Sequence, residues 1–181
     1  MKIKNFLFFL FFLIGCSTND CDNNQNNPLK NISVKNLSAE ISSINSLDEF
    51  KMFLNSNKNV LFPFYEIEDT ILFLEKANNA FSLIDNVYFD SLSFDVDLEF
   101  ENLQKVFSQL DNSIEVLNNE SNRVFLPKVT VLTSGFFNDI VVNQDNIVIG
   151  LDYFLPKSNK YKPRDLPSYI LDRYTPEHLS A

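Results

Sequence analysis

The hydrophobic period of the chain changes at Pro127, and this change restricts the fold more than any other feature of the sequence. Upstream, apolar residues recur every three to four positions, the spacing that puts them on one face of a helix; downstream, β-branched residues gather in short runs. Ser46-Leu47-Asp48-Glu49 has the form of a capping box, and Leu47, Phe50, Phe53 and Leu54 follow it at helical spacing. A second helix is expected over 68–81, with Ile71, Leu72, Leu74 and Phe81 as its buried stripe. A third is expected over 98–118, carried by Leu103, Val106, Phe107, Leu110, Ile114 and Leu117.

After Pro127 come three β-rich runs: Val129 to Thr133, Ile140-Val141-Val142 and Ile147-Val148-Ile149. Asn143-Gln144-Asp145-Asn146 separates the last two with polar turn formers, which is a hairpin signal. The expected class is therefore α+β, with N-terminal helices packed on a small antiparallel β-meander and a short helical segment after it. Residues 151–181 are rich in Pro and aromatic residues. A short helix is expected within 166–174, and Pro176-Glu177 reads as the first turn of another.

The N-terminus carries a different signal. Lys2 and Lys4 precede an apolar run of nine residues, 6–14, far short of the roughly 20 needed to span a bilayer as a helix. This is the layout of an export signal, and Leu13-Ile14-Gly15-Cys16 has the form of a lipobox. The expected processing is cleavage after Gly15, diacylglycerol on the Cys16 thiol and a palmitate-type acyl chain on the new amino group. Two or more such chains anchor stably where one is marginal, at about 0.8 kcal/mol per buried methylene. The alternative is a simple secretory signal in which Cys16 stands at the cleavage site by chance. Residues 16–31, polar and Asn-rich, read as a disordered tether, and 32–181 as a single domain.

Loss of Lys2 and Lys4 with the signal would move the formal charge from −9 to −11. So acidic a surface disfavours nucleic acid and anionic headgroups, and leaves the lipid on Cys16 as the link to the membrane. With Cys16 acylated, Cys21 has no partner in the chain; a Cys16–Cys21 bridge is the alternative and would constrain little.

No catalytic residue, metal site or cofactor is expected. His178 is the one histidine, so neither a two-histidine zinc helix nor a Ser–His pair can be assembled within one copy. Ser134-Gly135 lacks the surrounding G-x-S-x-G and reads as a turn. Asp85, Asp90, Asp95, Asp97, Glu99 and Glu101 flank the expected start of the third helix, where its dipole favours negative charge. Asp152 follows the last strand, where a carboxylate caps the next turn or faces a cleft. Tyr153, Phe154, Tyr161, Tyr169 and Tyr174 are the candidates for a partner surface, the alternative being that they cover the sheet as core and rim.

The C-terminal half also carries a resemblance. Pro127-Lys128-Val129-Thr130-Val131-Leu132-Thr133-Ser134-Gly135-Phe136, then Asn146-Ile147-Val148-Ile149-Gly150-Leu151-Asp152-Tyr153-Phe154-Leu155, Tyr161, Pro167-Ser168-Tyr169-Ile170 and Tyr174-Thr175-Pro176-Glu177 resemble the gliding-motility lipoprotein GldB family of Bacteroidota. Weaker agreement extends upstream through Phe62-Pro63-Phe64-Tyr65 and Phe125-Leu126-Pro127. Leu155-Pro156 stands where the family commonly has Leu-Gly. The resemblance implies a cell-envelope lipoprotein that binds other envelope or motility components, in a chain incomplete at its C-terminus; Ser17, in place of Asp after Cys16, points to the outer membrane rather than the inner. It also implies an alternative, the non-catalytic half of a zinc-metallopeptidase-like enzyme: Ile147 to Gly150 would be an edge strand and the metal helix would lie beyond residue 181.

Overall fold

The computed structural model describes residues 29–68, 71–121, 124–143, 146–164 and 166–179. The signal, Gly15, Cys16, Cys21 and nearly all of the tether expected over 16–31 lie outside them.

The chain enters the fold through β1 (Ser33–Asn36), followed by α1 (Ser38–Ser42), α2 (Leu47–Ser56) and α3 (Lys58–Phe64). Then come α4 (Phe73–Ile84), α5 (Phe89–Glu99) and α6 (Leu103–Ser121). After them lie β2 (Lys128–Leu132), β3 (Ile140–Asn143), β4 (Asn146–Gly150), a 3-10 turn (Leu151–Phe154), α7 (Ser168–Leu171) and α8 (Pro176–Leu179). The α+β class is as expected, and so is the short helical segment that follows the strands.

The sheet itself differs from the expected antiparallel meander. Its order is β1-β2-β4-β3, with β1 parallel to β2 and β2 parallel to β4; only β3 and β4 pair antiparallel. The hairpin is where the sequence put it, Asn143 facing Asn146. Between β2 and β3, however, the chain does not turn back on itself: it passes beyond β4, so that β4 lies inside the sheet and β3 becomes an edge. Ile147 to Gly150 is therefore not an edge strand, and the correspondence drawn from the zinc-peptidase alternative fails at that point.

Burial agrees with this topology. Val129, Thr130, Val131 and Leu132 are all buried, as a parallel strand covered on both faces requires. The period of two sorts neighbouring side chains into two cores. Leu132 and Val148 join Leu37, Phe50, Leu61, Phe64 and Tyr65 under the first four helices. Val129, Val131 and Ile149 join Val96, Phe107, Ile114 and Phe154 on the other face.

The helices correct the sequence reading in three places. α2 begins as expected: the Ser46 hydroxyl accepts the Glu49 amide at 3.3 Å, while the Glu49 carboxylate reaches one residue further back, to the Asn45 amide at 2.8 Å. α4 starts later than expected and buries Ala77, Ala80 and Ile84; Ile71, Leu72 and Leu74 are exposed. Four consecutive apolar residues, 71–74, define no helical face. The small Ala77 and Ala80 are fully buried in the core that α2 shares, and of the expected stripe only Phe81 packs inward, 5.9 Å from the Phe50 ring. α5 was hidden within an acidic stretch, although its buried Phe89, Leu92, Ser93 and Val96 keep helical spacing. Asp95, Asp97 and Glu99 therefore lie within α5, towards its C-terminal end, where the helix dipole opposes them. In α6, Phe107 and Ile114 are buried but Leu117 is half exposed.

One buried charge fixes the start of the sheet. Asp111, on α6, accepts the amides of Asn31 at 2.7 Å, Ile32 at 3.0 Å and Lys30 at 3.1 Å. Burial alone would raise its carboxyl, but these amides and the Asn31 side chain outweigh it and hold the group below the ordinary Asp value.

Candidate functional site

The loops that leave β2 and β4 meet at Asp152. Leu132 and Gly150 face each other at the ends of the two parallel strands, and Ser134 and Asp152 each lie two residues further on. Parallel strands bring both exits to the same end of the sheet, which is what allows a side chain from one loop to hold the other. Asp152 Oδ1 accepts the Ser134 amide at 2.8 Å, and the Ser134 hydroxyl donates to both carboxylate oxygens at 3.1 Å. The Phe136 amide donates to Oδ2 in a short hydrogen bond, and the Phe137 amide donates to Ser134 Oγ at 3.1 Å. Asp152 thus neither caps the turn that follows it nor faces a cleft. It closes the preceding loop from beneath.

Both glycines of the folded body serve this arrangement. Gly135 has φ +71°, and a β-carbon there would lie 2.9 Å from Leu83 Cβ. At Gly150 it would lie 2.3 Å from the Asn138 carbonyl and 2.9 Å from Ser134 Oγ. Phe136 also adopts a positive φ, 62°, a conformation costing a side-chain-bearing residue about 1–3 kcal/mol that the surroundings must offset. The Asp152–Phe136 hydrogen bond holds it there. Ser134-Gly135 is therefore a turn, as its sequence suggests, and Ser134 Oγ is buried and engaged.

Burial pushes the Asp152 carboxyl above its ordinary value, against the pull of the Ser134 and Phe136 amides. Its charge is felt nearby. Burial and Asp152 together drive the fully buried Tyr65 hydroxyl upward, and burial with Asp152 and Asp139 pushes Tyr153 up to about 12. Tyr65 Oη and Thr133 Oγ1 find no hydrogen-bond partner among the described residues.

The aromatic residues proposed for a partner surface divide by depth. Phe154 is 4% exposed and belongs to the core, its ring 5.2 Å from Tyr174. Tyr153 is half-buried between Phe136 and Tyr174, and its hydroxyl donates to the Phe136 carbonyl at 2.8 Å. Tyr174 is half-buried, its hydroxyl bonded to the Asp139 carboxylate. Tyr161 is half-buried with the Lys160 ammonium 4.8 Å above its ring. Tyr169 is 69% exposed. His178 is exposed on α8, its Nδ1 2.9 Å from Thr175 Oγ1.

Above the Asp152 loop lies a cleft of about 580 Å³, walled by Leu83, Tyr88 and Phe89 on one side and by Lys160, Tyr161, Lys162 and Arg164 on the other, with Gly135, Phe136 and Tyr153 between. Tyr153 and Tyr161 stand out in the sequence but the cations do not, because they are spread through a Pro-rich segment and line one cleft with Leu83 only after folding. Among the described residues no group of three His, Cys, Asp or Glu side chains is placed to hold a metal ion, and no helix is long and apolar enough to cross a membrane.

The fold and the site define an α+β domain in which one buried carboxylate locks the exits of two parallel strands beside a basic, aromatic-walled cleft. The chain belongs to the gliding motility protein GldB family, whose model matches residues 18–181. It is a gliding-motility-related protein of the cell envelope. No curated protein and no solved structure matches it.

Proposed function

We propose that the chain is a lipid-anchored envelope protein that serves gliding motility by binding other envelope or motility components, with no active site of its own. The observation that carries this reading is Leu13-Ile14-Gly15-Cys16 standing immediately ahead of the family match at 18–181. Residues 1–15 act as the export signal, Cys16 carries the acyl chains, and 16–31 serve as a tether from the lipid to the single domain over 32–181. The formal charge of −9 supports lipid over electrostatic attachment, since an anionic bilayer repels such a surface. Ser17, in place of Asp after the modified cysteine, favours the outer membrane over the inner.

The partner surface lies on the C-terminal loops. Tyr153, Tyr161, Tyr169 and Tyr174 retain exposed area there, and tyrosine provides a large, rigid contact area with a polar tip. Phe154 supports them from within the core. Expressing Cys16→Ala in a gliding bacterium that lacks its own copy tests the reading. Release of the protein from the membrane fraction together with loss of surface spreading is expected. A variant that stays in the membrane and restores spreading would contradict it.

A further inference from the structure

In a chain with formal charge −9, Lys160, Lys162 and Arg164 converge on one wall of the cleft above Asp152. None of the three has an ion-pair partner among the described residues, whereas neighbouring Lys157 pairs with Asp172 at 2.7 Å. The Lys162 ammonium donates to the Pro156 carbonyl at 2.7 Å, and Arg164 is exposed. The facing wall is apolar and open. Tyr88 is 64% exposed, Val87 beside it 84%, and Leu83 37%.

Cations opposite exposed apolar side chains fit a segment that carries carboxylates on one side and apolar groups on the other. A stacked sugar fits less well, because most of the lining rings are engaged: Tyr161 lies under Lys160 and Tyr153 packs against Phe136 and Tyr174, which leaves Tyr88 as the open ring. An extended polyanion or a flat anionic bilayer would meet the acidic remainder of the surface, while a short segment reaches the cleft alone.

We propose that this cleft receives a short acidic, amphipathic peptide segment of an envelope partner, its carboxylates on Lys160, Lys162 and Arg164 and its apolar side chains on Leu83 and Tyr88. The proposal rests on the reading of the chain as an envelope binding protein and gives that partner its chemistry. Salt should weaken the contact, since screening acts on exposed charges.

The test is fluorescence anisotropy of the full chain in detergent with a labelled peptide of about twelve residues alternating Glu or Asp with Leu or Val. Saturable binding is expected, lost by about tenfold or more in K160E/R164E and at raised salt, and kept in the charge-matched K105E/K128E. Circular dichroism of both variants should match the wild type, all four side chains being exposed. Absence of saturable binding, equal binding of a Gln/Asn version of the peptide, or equal loss in both variants would overturn the proposal. So would binding of polygalacturonate or phosphatidylglycerol vesicles in place of the peptide. Membrane release by Cys16→Ala depends on none of these outcomes, so the anchor and the cleft fail or stand separately.

Discussion

The Asp152 carboxylate accepts the amide of Ser134 at 2.8 Å and its hydroxyl at 3.1 Å, tying together two loops that leave adjacent parallel strands. Four donor contacts on one buried carboxylate make this the polar centre of the C-terminal half, with the positive-φ turn at Gly135 and Phe136 depending on it.

Asp152→Asn should therefore destabilise the fold by about 2–4 kcal/mol, because the amide NH₂ must face a donor that the carboxylate accepted. The pH dependence should change with it. Burial raises the Asp152 carboxyl, so its contribution is complete below the ordinary Asp range and is lost as pH rises through the raised value. Urea midpoints from about pH 4 to pH 8 should fall less in the variant than in the wild type. Parallel curves would show that Asp152 does not titrate in this way.

Asp111 has the opposite sign. Its carboxyl is held below the unfolded value, so its contribution is present above the ordinary Asp range and lost as pH falls through the lowered one. Asp111→Ala should cost about 2–4 kcal/mol at neutral pH and flatten the acid limb of the stability curve. Amide exchange should quicken in β1, whose entry the three amides of 30–32 secure. An unchanged β1 exchange rate would remove Asp111 from that role.

How far the fold could be read from the sequence depended on whether the pattern was local. The capping box at Ser46, the β3–β4 hairpin and the helical turn at Pro176 are set by adjacent residues and stand where they were expected. Strand pairing is not local: Val129 to Leu132 is the same run whether its neighbour is parallel or antiparallel, and only the passage of residues 133–139 beyond β4 decides. The face of α4 failed for a related reason, since four apolar residues in a row point all round a helix and the face was chosen by Ala77 and Ala80. At the site, Asp152 and two of the tyrosines stood out, but the Ser134 partner and the cations of the cleft come together only through the sheet topology.

The buried face of α4 is open to test. Leu74→Ser should change stability by no more than about 0.5 kcal/mol, the side chain being 54% exposed. Ala80→Leu, at a fully buried core position, should cost about 1–3 kcal/mol by overpacking. The reverse ranking in thermal or urea melts would restore the stripe read from sequence.

The proposed anchor is lipid on Cys16. Mass spectrometry of the N-terminal peptide, from protein expressed in a gliding bacterium and purified from its membranes, measures it directly. The expected result is a chain that begins at Cys16 and carries diacylglycerol on the thiol with an acyl group on the new amine. An unmodified Cys16, or a chain that still contains Gly15, would contradict it.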